Sequence, residues 1–135
     1  TINSTLLKKY GYKITPARLA VLSSFSYTHK PLSAENIFIQ VQKHKKINPA
    51  TVYRTLTSFE KKGLIKKVNL RTDTAFYELA QDHHHHIVCT SCGRIEDFTE
   101  CGMSPIIKKV ITRSPHFARI QDHSVELFGV CNTCS

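Results

Sequence analysis

The residues with the clearest chemistry in this sequence are its cysteines. Cys89 and Cys92 form one C-x2-C pair, and Cys131 and Cys134 form a second pair near the end of the 135-residue chain. Each pair can place two sulfurs about 2.3 Å from a Zn²⁺ ion, and four thiolates complete a closed tetrahedron. A redox role for C-x-x-C would require a strand followed by a helix, which neither pair shows. We therefore expect a structural zinc ion.

Four histidines, His83 to His86, stand directly before the first cysteine pair. If this segment is a strand, His84 and His86 point to one face of it, and His83 and His85 point to the other. One short strand can then serve two metal sites in addition to the cysteines. Asp97, on a predicted returning strand, offers a carboxylate oxygen as a further ligand.

Charge is divided unevenly along the chain. Residues 1–80 hold 14 Lys and Arg against 4 Asp and Glu, whereas residues 81–135 hold 5 against 6. Such asymmetry indicates a nucleic-acid-binding half joined to a half with another role. Apolar runs are too short to span a bilayer, and residues 1–15 lack the apolar segment of a secretory signal. We expect a cytoplasmic protein with reduced thiols and no membrane partner.

Three helices followed by a hairpin are predicted for the first half. Thr15-Pro16, Ser33 and Asn48-Pro49 are signals for the start of a helix, and Gly63 is a signal for the end of the third one. Beyond Gly63 the apolar spacing becomes that of two strands around a turn at Thr72-Asp73. This order is typical of a winged helix-turn-helix, whose third helix enters the major groove of DNA.

The outward face of the third predicted helix carries groups that can contact bases and phosphates. Basic residues from the preceding segment lie near it in the expected fold. The predicted DNA-binding residues are Lys13, Arg18, Thr51, Tyr53 and Arg54.

The second half is predicted to contain an amphipathic helix that begins at Ser104-Pro105 and a last strand from residue 117 to residue 130. Because both faces of that strand carry apolar residues, we expect it to pair across a dimer interface. The predicted fold is therefore α+β. A winged helix-turn-helix domain (1–80) precedes a small α/β dimerisation domain (81–135) with a four-cysteine zinc site.

Five segments of the chain resemble the ferric uptake regulator family. They are Tyr-x-Ile-Thr-Pro-x-Arg at 12–18, Pro-Leu-Ser-Ala-Glu-x-Ile at 31–37, Ala-Thr-Val-Tyr-Arg-Thr-Leu at 50–56, His-His-His-His-x-x-Cys-x-x-Cys-Gly at 83–93, and the segment from His123 to Cys134. The resemblance covers nearly the whole chain in the same order. It implies a homodimeric metal sensor that binds double-stranded operator DNA and represses metal-uptake genes when its sensory site is loaded.

The resemblance also assigns metal ligands to positions of this sequence. The implied sensory ligands are Glu78, His84, His86 and Asp97. A further sensory histidine is usual where this chain has Pro31, so His29, two residues earlier, is the candidate for that role.

A second site within the dimerisation domain is implied for His83, His85 and His123. The acid that usually completes it falls near Ser104, which leaves Glu100 or Cys101 as its replacement. On the DNA side, Tyr53 and Arg54 correspond to recognition-helix residues, and Lys13 corresponds to a residue near the minor groove.

Ligand chemistry favours iron as the regulatory ion. The zinc-sensing branch of the family tends to carry Cys where this chain has Glu78, and imidazoles with carboxylates suit Fe²⁺ or Mn²⁺. Sensing of manganese, zinc, or peroxide through iron-bound histidine remains an alternative within the family.

Two further alternatives belong to other classes of protein. A zinc hydrolase or deaminase would require H-E-x-x-H, or H-x-E with P-C-x-x-C, and the sequence has neither. A metal-buffering protein would leave the basic first half without a role. We predict no catalytic residue and no small-molecule substrate.

Overall fold

The computed structural model of the chain contains two compact units, Thr1–Asp82 (unit 1) and His83–Ser135 (unit 2). Residues 2–28, 30–80 and 84–135 are described here. Each unit combines helical structure with a three-stranded sheet, so the predicted α+β class is confirmed. None of the helices in these ranges has the length and apolar character needed to cross a membrane.

Unit 1 contains the three predicted helices and the hairpin, with two elements added. Its elements in chain order are α1 (Ile2–Lys9), α2 (Pro16–Ser24), β1 (Leu32–Ser33), α3 (Ala34–Gln42), α4 (Pro49–Lys61), β2 (Ile65–Val68) and β3 (Phe76–Leu79). The additions are α1, which buries Leu6 and Leu7 in the core, and β1, which pairs with β3. The wing is therefore a three-stranded antiparallel sheet in the order β1-β3-β2.

The helix boundaries of unit 1 follow from the residues that signal them. Thr15, Ser33 and Asn48 each accept a hydrogen bond from a backbone N–H of the following turn, at 3.2, 3.1 and 2.8 Å. These bonds satisfy donors that a helix start leaves without partners. At the other end of α4, Gly63 has φ +79°, a conformation that glycine adopts without a Cβ clash.

The core of unit 1 orients α4. Val52, Leu56 and Phe59 are each at most 2% exposed and pack with residues of α1, α2 and α3 in one hydrophobic cluster. This spacing places them on one face of the helix. The opposite face, which carries Tyr53 and Arg54, is directed to solvent.

Unit 2 is built on a sheet in the order β5-β4-β6. Its elements are β4 (His85–Cys89), β5 (Ile95–Phe98), α5 (Met103–Arg113) and β6 (Glu126–Gly129). The central strand β4 runs antiparallel to β5 and parallel to β6. This arrangement places Asp97 and Glu126 on either side of His86, because both are its register partners.

The prediction of a last strand over residues 117–130 was wrong in its extent, because β6 covers only Glu126–Gly129. Its partner β4 has five residues, and their pairing begins at His86 and Glu126. Residues 117–125 are not in a strand, although the Val125 carbonyl still accepts a hydrogen bond from the His86 N–H at 3.4 Å. Helix α5 begins at Met103, slightly before the predicted start, and holds Pro105 in its first turn, where proline loses no hydrogen bond.

Candidate metal centres and nucleic-acid interface

The four cysteines of the two C-x2-C pairs, termed the cysteine tetrad, lie together at one end of the unit 2 sheet. Cys89 is the last residue of β4, and its register partner Gly129 is the last residue of β6. Parallel pairing therefore brings the segments after both strands to the same end. Any two of the four sulfurs are within 4.8 Å of each other.

The sulfur separations fit a tetrahedral zinc ion. The Sγ atoms of Cys92 and Cys131 are 3.7 Å apart. A tetrahedron with Zn–S bonds of about 2.3 Å has an S–S edge of about 3.8 Å, whereas a disulfide bond is about 2.05 Å long. The tetrad therefore has the dimensions of the structural zinc site that the sequence predicts.

The electrostatics of the tetrad favour a cation. Backbone N–H groups of Cys131 and Cys92 donate to the Cys89 sulfur at 3.4 and 3.5 Å, and they lower the pKa of Cys89 to about 6. Side-chain hydrogen bonds with Cys131 and then Cys92 raise the pKa of Cys134 to about 12. Neighbouring thiolates repel one another, so all four sulfurs ionise together only when a cation shares their charge.

A second group of candidate ligands lies on one side of β4. The rings of His84 and His86 are 5.0 Å apart and nearly perpendicular, and His86 is only 1% exposed. Residues opposite one another on neighbouring strands share a face of the sheet. His86 is therefore flanked by the carboxylates of Asp97, which is exposed, and Glu126, whose Oε1 lies 3.8 Å from His86 Nδ1.

Glu126 was not among the residues predicted for any site. Its place beside His86 depends on the parallel register of β4 and β6. Strand alternation shows which residues of one strand share a face, but it does not show which residue of another strand stands opposite.

A third group, termed the thiol–imidazole cluster, comprises His85, Cys101 and His123. The ring of His85 is 5.5 Å from that of His123, and the Cys101 sulfur is 3.2 Å from Nε2 of His123. One ligand atom from each residue lies within 4.8 Å of the others. The sequence leaves Glu100 and Cys101 as candidates for the remaining ligand of the second metal site. Cys101 belongs to this cluster, whereas Glu100 is exposed and does not.

The remaining predicted metal ligands lie in unit 1 or outside the described residues. Glu78 is buried in β3, and its Oε1 lies 3.3 Å from Nζ of Lys66, its register partner on β2. His29 and His83 fall outside the described residues.

The predicted DNA-binding residues of α4 are accessible on its solvent face. Tyr53 is 51% exposed, and the exposed Arg54 guanidinium donates to the Thr51 hydroxyl at 3.4 Å. This weak contact holds the side chain of Arg54 along the helix and leaves most of its donors available. Both residues can therefore contact DNA without a change in the packing of α4.

Arg18 is arranged differently from the other predicted DNA-binding residues. It is half-buried, donates to the Lys13 carbonyl at 2.8 Å, and stacks 5.0 Å from the centre of the Tyr12 ring. Lys62 approaches the same ring at 4.3 Å. Arg18 thus supports the segment that presents Lys13, which is itself exposed.

Together these features define a class, namely a winged-helix protein with a zinc-binding, histidine-rich second unit. A model of the Ferric uptake regulator family matches residues 9–128, and the chain belongs to this family. Its members are metal-responsive transcriptional regulators rather than enzymes, and this chain is a regulator of that class.

Individual relatives match over nearly the full chain. The ferric uptake regulation protein of Cupriavidus metallidurans is 39% identical, over 93% of this chain and 88% of the relative. That of Neisseria meningitidis serogroup A is 36% identical, over 98% and 92%. The solved structure of the Francisella tularensis ferric uptake regulator with iron is 31% identical and superposes with a TM-score of 0.75, over 92% of this chain and 95% of that chain.

Proposed function

We propose that this chain is a repressor that binds operator DNA as a homodimer when a sensory site is loaded, and that Fe²⁺ is its regulatory ion. The observation that supports this most directly is the edge-to-face pair of imidazoles, His84 and His86, beside the carboxylates of Asp97 and Glu126. Nitrogen and oxygen donors without a thiolate suit Fe²⁺ or Mn²⁺. The similarity to ferric uptake regulation proteins favours iron between these two.

The proposed sensory ligands are Glu78, His84, His86 and Asp97, with His29 as a further candidate. Glu78 belongs to unit 1, and the other three described ligands belong to unit 2. An ion held by ligands from both units would favour the arrangement of the units in which all of its ligands meet. DNA affinity changes only if this arrangement also binds DNA better than the others do.

Glu126 has a supporting role in this proposal. Metal-bound histidines commonly use their second ring nitrogen to contact a carboxylate, which fixes the ring and strengthens it as a ligand. With its carboxylate 3.8 Å from His86 Nδ1, Glu126 is placed to orient this ring.

Exposed apolar residues of unit 2 support the homodimer. Ile87 and Leu127 are register partners, and they are 40% and 49% exposed. On α5, Ile106 and Val110 are 50% and 53% exposed. Among the described residues of unit 2, only Val88 and Cys89 are buried hydrophobic residues, and burial of these surfaces in a second copy would enlarge a small core.

The function is tested by DNA binding as a function of metal. Duplexes enriched from a random-sequence pool are titrated by fluorescence anisotropy with metal-free protein and with protein loaded with Fe²⁺ under anaerobic conditions, Mn²⁺ or Zn²⁺. We expect Fe²⁺ to strengthen binding by about 5- to 150-fold, the usual range of allosteric coupling. Equal affinity with and without every ion would contradict the proposal, and a response to Zn²⁺ alone would contradict iron sensing.

Replacement of Arg54 by Ala is expected to weaken binding to the enriched duplex by about 5- to 150-fold. A bidentate base contact contributes about 1–3 kcal/mol to discrimination, and Arg54 is exposed on the recognition face. The same anisotropy titration measures the change. Arg119→Ala removes the same charge from an exposed site in unit 2 and is the matched control. If both variants lose the same affinity for the duplex, the effect is due to net charge alone and not to a contact made by the α4 face.

Replacement of Lys66 by Met is expected to raise the affinity for the regulatory ion by up to about fivefold. The Lys66 ammonium neutralises Glu78 at 3.3 Å and so competes with a metal ion for this carboxylate. Lys66 is 37% exposed, and pairs of this kind contribute about 0.2–1 kcal/mol. Metal affinity is measured without DNA by competition with a fluorescent chelator. Lys61→Met, on the exposed end of α4, is the control, and a decrease in affinity for Lys66→Met would refute the competition.

A further inference from the structure

We propose that Tyr12 is a positioning residue for DNA binding, which holds Lys13 in a fixed place relative to the recognition face of α4. This role rests on the proposed DNA-binding function and deepens it. It joins two parts of the interface that are distant in the chain, namely the connection between α1 and α2 and the helix that carries Tyr53 and Arg54.

Tyr12 anchors the connection between α1 and α2. Residues 10–15 form this connection, all of them are described, and Tyr12 alone among them is buried, with 7% of its surface exposed. Its backbone N–H donates to the Leu7 carbonyl at 2.9 Å. The next two residues, Lys13 and Ile14, are exposed. The place of Lys13 is therefore set by the anchoring of its neighbour.

The side chain of Tyr12 is attached to α4. Its hydroxyl shares a hydrogen bond of 2.7 Å with the hydroxyl of Ser58, which is the usual length for two oxygens. Its ring meets that of Phe59 nearly edge to face, with centroids 5.1 Å apart and an angle of 73° between the rings. Because Phe59 is completely buried, it provides a rigid support for the ring of Tyr12.

Arg18 closes the link from the side of α2. Its guanidinium carbon lies 5.0 Å from the centre of the Tyr12 ring, and its Nη1 donates to the Lys13 carbonyl at 2.8 Å. The backbone N–H of Arg18 donates to the Thr15 hydroxyl at the start of α2. One guanidinium therefore contacts both the anchoring ring and the backbone of the residue that the ring positions.

The charge around Tyr12 suits a phosphate. Lys62, the residue that caps the end of α4, places its Nζ 4.3 Å from the centre of the Tyr12 ring. The sequence has no Asp or Glu before Glu35, so Lys13 has no acidic neighbour along its own segment. Cations in such a cluster attract the DNA backbone. A lysine on an ordered connection also loses less conformational entropy when it binds than one on a flexible connection.

Tyr12→Phe tests this role because it keeps the ring and removes only the hydroxyl. In the anisotropy titration, its affinity for the enriched duplex is expected to fall by about two- to tenfold, the range for one hydrogen bond. In a Lys13→Ala protein the same substitution should cause no further loss, since the residue through which Tyr12 acts is gone. A purely structural role would give the same loss in both proteins. Tyr27→Phe, which removes the hydroxyl of a tyrosine that is 61% exposed, is the matched control.

The salt dependence of binding provides a second readout. Loss of one phosphate contact lowers the slope of log affinity against log salt concentration by about 0.9. We expect this decrease for Lys13→Ala and a decrease of no more than this amount for Tyr12→Phe. Tyr27→Phe should keep the wild-type slope.

A second variant tests the same link if Tyr12→Phe does not fold, which circular dichroism shows. Ser58→Ala removes the other partner of the hydrogen bond and should cause a similar loss of affinity that again requires Lys13. Wild-type affinity in the folded variants, or equal losses with and without Lys13, would overturn the proposal. All affinities are compared at one metal condition. A chain that binds DNA without responding to any ion would therefore contradict the proposed repressor and leave this test intact.

Discussion

Replacement of Cys131 by Ser is expected to release the structural zinc ion and to unfold unit 2. Structural zinc in small domains binds with an apparent free energy of about 10–16 kcal/mol, which is comparable to the whole stability of a typical domain, about 5–15 kcal/mol. Unit 2 has few buried apolar side chains to compensate. The hydrophobic cluster of unit 1 lies entirely within residues 6–79, so unit 1 is expected to keep its own unfolding transition.

Thermal unfolding followed by circular dichroism, together with zinc analysis, measures this effect. The wild-type chain should show the transition of unit 2, and the variant should lack it. Thr133→Ala, which changes an exposed residue between the last two cysteines, is the matched control and should retain both zinc and stability. A folded, dimeric Cys131→Ser protein would show that the tetrad does not hold unit 2 together.

Replacement of His86 by Ala is expected to abolish the effect of the regulatory ion on DNA binding. His86 is buried at the centre of the sheet, between Asp97 and Glu126, so its replacement by Ala removes a donor from the middle of the proposed ligand set. An allosteric ion typically changes DNA affinity by about 5- to 150-fold. In the variant, the affinity for DNA with the ion bound should be nearly equal to the affinity for DNA without it.

The two affinities are measured by the anisotropy titration with and without Fe²⁺, and zinc analysis verifies that the tetrad remains loaded. His116→Ala removes an exposed imidazole of unit 2 and serves as the control. A His86→Ala protein that still responds to iron as the wild type does would exclude this residue from the sensory site. A protein that lost its zinc as well would instead point to a structural role for His86.

Features that depend on local sequence were predicted well. The starts of α2, α3 and α4 follow from single capping residues, because a capping side chain bonds to backbone groups within the next turn. The face of α4 that carries Val52, Leu56 and Phe59 follows from helical periodicity. Helix α1 is not predicted, although Leu6 and Leu7 belong to the core, because eight residues with few apolar side chains do not establish a helical period.

Features that depend on the pairing of distant segments could not be predicted in the same way. The extent of β6 was overestimated, since a strand continues only where a neighbouring strand accepts its hydrogen bonds. The position of Glu126 beside His86 follows from the register of two strands whose paired residues are 40 positions apart in the chain. No local pattern encodes such a register.

The sequence by itself determined the types of ligand and their spacing within each segment. It identified the cysteine tetrad, because two C-x2-C pairs carry their chemistry wherever the chain brings them together. It also assigned His84 and His86 to one face of the strand and His85 to the other, because side chains alternate along a strand. Only the tertiary structure decided which donors from other segments join these histidines. It placed Cys101 rather than Glu100 beside His123, because the path of the chain after β5 determines which side chain reaches the cluster.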